Sequence, residues 1–302
     1  MKSRMGFHFS RFHCMVLLMA TGPTVRRRRL GTELRKLRES NGYKLEEVAA
    51  RIGVAPSTLS RIETGKAPTK SAYLNQMLQL YGVGDPGQRQ VLVDMAREGH
   101  RKGWWAAYED VLPSGFDIYV GLEAETAAVR GYEVSVVHGL LQTPDYARAV
   151  LREMFPRHTP EQIERLVNLR IERQRRFDDD PPIELWAVLD EAVIRRPVGG
   201  SSVMRAQLEH LIAAAGGPGV TVQILPFGCG AHAGHGGPFS ILEFPNRSDS
   251  EVAYVESVVG IIYLEKDRDV RARAEAFDRL RAAALAPGAS AELIAQAAND
   301  LH

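Results

Sequence analysis

The sequence predicts a mainly α N-terminal domain built around a helix-turn-helix, followed by an α+β C-terminal domain with a small mixed sheet. Three observations carry this. Two short amphipathic helices meet at a glycine between Lys44 and Gly65, basic residues crowd the first quarter of the chain, and β-branched segments bounded by Gly, Pro and Asn begin only after residue 182. The 302 residues exceed what one small helical domain needs and imply two domains.

In KLEEVAARIGVAPSTLSRIETG, Leu45, Val48, Ala49 and Ile52 recur at helical spacing, and Gly53 sits where a left-handed residue ends the first helix. Pro56 occupies an early turn of the second helix, whose Leu59 and Ile62 point inward. Ser57, Thr58, Ser60 and Arg61 are left outward, and short hydrogen-bonding groups with one guanidinium suit the major groove of duplex DNA. A helical hairpin that never meets nucleic acid shows the same spacing, so charge has to discriminate. From Arg26 to Lys70, 12 basic residues face 5 acidic ones, a balance of +7, whereas 23 basic and 32 acidic residues after Lys70 leave −9. One end attracts phosphate and the rest repels it, although the whole chain is only +1.

A helix over 27–40 carries Leu30, Leu34 and Leu37, and one over 71–81 carries Leu74, Met77, Leu78 and Tyr81. After the break GVGDPG, residues 88–98 resume a helix with Val91, Leu92 and Met95 on one face. The aromatic, turn-rich segment 100–119 follows; Trp104 and Trp105 read as pinning a connection to a neighbouring domain rather than as stacking on a base or ligand. Further helices are expected over 123–134, 143–154, 159–177, 204–215, 267–285 and 290–298, and strands over 183–189, 220–225, 239–244 and 252–257. The implied division is 1–24 as a disordered extension or a mis-assigned start, 25–82 as the helix-turn-helix domain, 83–120 as helix and linker, and 121–302 as a regulatory or interaction domain. The apolar run 14–20 is at the short limit for a signal peptide and Met19 is a reasonable alternative start. Two distant cysteines, Cys14 and Cys229, imply a reducing, cytoplasmic compartment, and no stretch reaches membrane-spanning length.

The stretch GVAPSTLSRIETGKAP, with helices before and after it, resembles the XRE or phage-repressor-like helix-turn-helix regulators, which implies a five-helix domain from about Val25 to Tyr81. The resemblance implies a structural ion pair between Arg38 and Glu63, and base-reading positions at Pro56, Ser57 and Arg61, with Thr58 and Ser60 beside them. Arg61 is the leading candidate, because a guanidinium bridges two guanine acceptors and discriminates by about 1–3 kcal/mol. Pro56 has no side-chain hydrogen bond to offer. Leu45 stands where the family commonly has a glutamine that supports DNA contact. Phosphate contacts are expected from Arg27, Arg28, the Leu45 amide, Thr64 and Lys66.

The words GLEAETAAVRGYE, HGLLQTPDYARAVL, LDEAVIRRPVGGSSVMRAQLEHL and VTVQILPFGCGAHAGHGGPFSILEFP resemble the large C-terminal domain of unknown function that follows an XRE module in many actinomycete regulators. That resemblance implies a toxin-antitoxin-like group, often with a small partner protein encoded nearby, and brings no catalytic or ligand residues. Cys229, His232 and His235 have a thiolate-imidazole spacing suited to zinc, but three ligands so close need a fourth from elsewhere. The surrounding glycines read equally as a hairpin or flap, so no metal is expected. Asp190, Glu191, Arg195 and Arg196 read as a strand end and salt-bridged loop. With no nucleophile elbow, Walker loop or HExxH word, neither catalysis nor a cofactor is expected.

The expected function is sequence-specific regulation of transcription by a homodimer on double-stranded DNA. The C-terminal domain would dimerise, sense an unknown small-molecule effector or hold a partner. The alternative is an antitoxin-like protein that mainly neutralises a small partner and binds DNA to regulate itself. No membrane association is expected.

Overall fold

The computed structural model describes residues 23–100, 103–245, 250–257 and 260–301. All but the last two residues of the expected extension 1–24, with Cys14 and Met19, therefore lie outside the described residues. The chain divides into two compact units, residues 1–104 and 105–302.

The first unit contains α1 (Pro23–Ser40), α2 (Leu45–Arg51), α3 (Pro56–Glu63), α4 (Ser71–Leu80) and α5 (Pro86–Gly99). Their apolar faces share one core in which Leu34, Val48, Ala49, Leu59, Met77 and Leu78 are wholly buried. The fifth helix, which the sequence placed in a connecting segment, puts Leu92 and Ala96 into that same core. Asp85 caps it by accepting from the Gln88 amide at 2.6 Å, and Pro86 follows at the first helical position.

The second unit is built on a six-stranded sheet of order β3-β2-β1-β4-β5-β6: β1 (Ala128–Glu133), β2 (Glu184–Asp190), β3 (Val220–Leu225), β4 (Phe239–Glu243), β5 (Val252–Ser257) and β6 (Gly260–Leu264). The first three strands are parallel and the rest antiparallel, so the sheet is mixed as expected. Helices α6 (Phe116–Glu123), α7 (Pro144–Met154), α8 (Pro160–Gln174), α9 (Glu191–Arg195), α10 (Ser201–Ala215), α11 (Asp267–Ala283) and α12 (Pro287–Asn299) surround it. The α11 residues Phe277 and Leu280 lie in one buried cluster with Tyr132, Val188, Phe239 and Ile241 of the sheet. Beside α12, the Leu285 amide donates to the Ile224 carbonyl at 2.9 Å and the Ile224 amide to Ser290 Oγ at 3.0 Å, which engages the outer backbone of β3. β6 stands at the opposite edge. No described helix is long and apolar enough to cross a membrane.

Two expectations fail here. Residues 123–134 were expected as one helix, yet α6 ends at Glu123 and 128–133 form β1. This strand lies between β2 and β4, with Gly131 paired to Ala187 on one side and Ser240 on the other. Ladder bonds on both sides and the burial of Val129 and Tyr132 outweigh the helix preference of an Ala- and Glu-rich stretch. β6 was not expected at all. Its five residues, GIIYL, follow β5 after only two intervening residues and are too few to show a period.

Candidate nucleic-acid interface

Helices α2 and α3 meet through a turn at Gly53, whose φ of +71° is the left-handed value that ends α2. The Val54 amide donates to the Ala49 carbonyl at 2.9 Å, closing the helix end, and Ala55 is extended before Pro56. Within α3, Leu59 and Ile62 are buried, which turns Ser57, Ser60 and Arg61 to solvent while Thr58 is half-buried. Three- and four-residue spacing puts Ser57, Ser60, Arg61 and the following Thr64 on one stripe.

The stripe is held by an unusually close helix contact. A Cβ on Gly31 of α1 would lie 2.5 Å from the carbonyl oxygens of both Ile62 and Glu63, so only glycine lets α1 come this near. Beyond α3, Gly65 has φ +67° and a Cβ there would lie 2.7 Å from the Arg28 Cα and Cγ. Arg38 completes the clamp. Its Nε donates to Glu63 Oε1 at 2.7 Å and Nη2 to Glu63 Oε2 at 3.0 Å, while Nη1 donates to the Tyr43 carbonyl at 3.0 Å. Both side chains are nearly inaccessible, 10% for Arg38 and 3% for Glu63, and hydrogen bonding to Glu63 holds the guanidinium above its ordinary pKa. The nearby Tyr81 hydroxyl is raised as well, by burial first and by the Glu63 carboxylate second.

The cations of this unit divide into two groups. Arg35 pairs with Glu39, Lys36 with Glu33, Arg51 with Glu47 and Arg26 with Glu98. Arg61 and Lys66 are exposed and, among the described residues, make no ion pair. Lys44 before α2, Lys70 before α4 and Arg89 on α5 likewise make none, so α3 and the loop after it carry a share of the unit's uncompensated charge. Arg27 and Arg28 are placed differently: both are half-buried, the Arg27 stem lies against Gly99 and donates through Nη2 to Thr24 Oγ1, and the Arg28 stem lies against Gly65. Thr64 Oγ1 donates to the Ser60 carbonyl at 2.8 Å, which commits its hydroxyl proton to the helix end. No side chain caps α2, but Glu46 and Glu47 stand in its first turn beside the Leu45 amide and make the local field negative.

In the second unit, the residues weighed for chemistry serve as ties. Asp190 caps α9 by accepting from the Ala192 amide, Glu191 bonds both Arg195 and the Phe227 amide, and Arg195 reaches Asp300. Cys229 Sγ donates to the Gly230 carbonyl and His232 Nδ1 accepts from the Gly234 amide. Among the described residues no cluster of His, Cys, Asp and Glu is placed to hold a metal. Trp105 is buried with Val120 and Leu169.

Residues not singled out from sequence lie on α8. Arg173 forms a buried bidentate pair with Glu123, at 2.6 and 2.7 Å. Arg170 donates to Gln142 Oε1 and, among the described residues, makes no ion pair. Both arginines follow Leu166 and Leu169 at helical spacing, so the legible signal was charge standing on an apolar stripe.

A family profile described as a helix-turn-helix domain matches residues 29–92, and one described as a domain of unknown function, DUF5753, matches residues 116–296. Comparison with curated proteins and with solved structures gives no match.

Proposed function

We propose, for a chain that belongs to the DUF5753 family and carries a helix-turn-helix domain ahead of it, a sequence-specific DNA-binding regulator of transcription of the XRE type. The observation that carries the reading is the stripe Ser57, Ser60 and Arg61, held by the close contact of α1 with α3 and flanked by Lys66, with neither Arg61 nor Lys66 tied to a carboxylate among the described residues. Arg61 reads guanine, the serines and Thr58 read adjoining positions, and Lys66 holds a phosphate. Arg27 and Arg28 reach phosphate only by leaving their packing, Thr64 only by turning its hydroxyl, and the Leu45 amide only against two neighbouring carboxylates. These four are the weaker half of the set.

One helix-turn-helix covers too little duplex for operator-grade affinity, so the active species is a homodimer on half-sites about 34 Å apart. The second unit supplies dimerisation or effector sensing, in a cytoplasmic protein. The edge position of β6, with Ile262 45% exposed, favours a second reading in which that unit also holds a small partner protein, as an antitoxin would. Selection from random duplexes, followed by competition binding with Arg61→Ala, tests the main reading. The variant is expected to lose about 1–3 kcal/mol and to relax one base position. No selected sequence, or an unchanged preference in the variant, defeats it.

A further inference from the structure

Where α8 and α10 finish and β3 begins, the second unit has a groove with about 560 Å³ of room, within the range of about 300–1,000 Å³ typical of small-molecule sites. Leu140, Leu141, Ile171, Phe177 and Val220 supply its apolar surface. The Leu140–Leu141 turn is fixed from both sides, because Gln174 Nε2 donates to the Gly139 carbonyl at 3.3 Å and to the Gln142 carbonyl at 2.8 Å. A floor set in advance loses little affinity to ordering when a guest arrives.

Three polar side chains join that surface: Arg175, Asp178 and His210. Neighbouring charges on the same segment are neutralised, Arg173 by Glu123 and Arg176 by Asp179. Arg175 and Asp178, which stand among them, are exposed and, among the described residues, make no ion pair with each other or with a third group. His210, from α10, is held below its ordinary pKa by burial, so at neutral pH its imidazole is mostly uncharged and offers a hydrogen bond. The groove therefore carries one cation and one anion, three residues apart, over an apolar floor. A single charge on a guest gains from one and loses to the other, whereas a head group carrying both signs gains from each.

We propose that this groove binds a small zwitterion on a bulky apolar body, of the chemical class of aromatic and long-chain amino acids. Its carboxylate lies toward Arg175, its ammonium toward Asp178 and its body on the Leu140, Ile171 and Phe177 surface. The assignment names a ligand class for the effector-sensing part of the proposed function, and rests on that reading only for the use to which binding is put. Uptake is measured on the protein without DNA, so a failed operator selection and a failed titration are separate results.

Calorimetric titration of the full chain with three probes that share one apolar body tests it: naphthylalanine, the anion naphthylpropionate and the cation naphthylethylamine. The zwitterion is expected to bind at least about 10-fold more tightly than either singly charged probe, the scale of one hydrogen bond to a charged group. Exchange of preference is the sharper sign. Asp178→Asn is expected to bring the propionate level with or above the amino acid, and Arg175→Gln to do the same for the amine. Both positions are exposed, which makes these variants safe for folding. Ala214→Phe, at a half-buried lining residue, is expected to block uptake by filling the groove; if it does not fold, the two charge variants decide. The proposal is overturned if naphthylalanine does not bind at up to about 10 mM or if either singly charged probe binds the parent as well as it does. It is equally overturned if the charge variants keep the parent's order of affinities, or if folded Ala214→Phe binds like the parent.

Discussion

Arg38 and Glu63 illustrate how much one residue pair carries in the first unit. Neither side chain can be fully solvated in place of its partner, so removing Glu63 leaves the buried Arg38 guanidinium only the half-exposed Glu39 carboxylate at 3.3 Å, and removing Arg38 leaves Glu63 buried without its cation. Glu63→Gln is expected to cost on the order of 3 kcal/mol in denaturant unfolding, against less than about 1 kcal/mol for Glu47→Gln, whose Arg51 partner is exposed. Equal losses at the two sites would mean the buried pair is no clamp. Glu133 gives a pH test of opposite character. Its folded-state pKa of about 8 lies above the unfolded value of 4.5, so the folded protein holds a proton that the unfolded chain releases. The associated stability is present in full below about pH 4.5 and is lost as pH rises through about 8. Urea unfolding of Glu133→Gln should therefore gain on the parent steadily across that window; a constant difference would show that Glu133 titrates normally.

At the scale of elements, the union of α1 with α3 depends on glycine. Gly31→Val is expected to cost about 1–3 kcal/mol by forcing α1 off the last turn of α3. Gly65→Ala combines a left-handed φ with a clash against Arg28, and should lower the melting temperature while weakening DNA binding through a displaced Lys66. Thermal unfolding that leaves either variant as stable as the parent would show that the helices part without cost. Much of this architecture was legible beforehand. The outward stripe Ser57, Ser60 and Arg61 follows from the period of Leu59 and Ile62 with Gly53 as terminator. The Arg38–Glu63 pair, 25 residues apart, came only with the family resemblance, because no local pattern couples such distant positions. Gly31 was illegible, since a glycine inside a helix reads merely as a propensity loss. The strand β1 was misread because its ladder partners lie more than 50 residues away in β2 and more than 100 away in β4. Arg170 was missed because its bond to Gln142, 28 residues away, arises only when α8 packs beside the segment before α7.

For the whole molecule, charge is the property that no single element reveals. The +7 region around the recognition helix is covalently tied to a segment after Lys70 that carries −9. The fragment 23–104 should accordingly bind random duplex more tightly than the full chain at low salt, with the difference shrinking as salt rises past the range where the Debye length falls below about 10 Å. Lys66→Ala is expected to weaken all duplexes alike and to reduce the salt slope by about 1. A fragment no tighter than the parent at low ionic strength would mean that the acidic remainder exerts no field on the duplex.

The two margins of the β-sheet differ in kind, with β3 secured by Leu285 and Ser290 and β6 last in its row. Were strands to join across molecules, β6 would be the terminal strand offered by each among the described residues, and a first joining would occupy it on both participants. Backbone pairing at β6 would thus close as a couple rather than propagate.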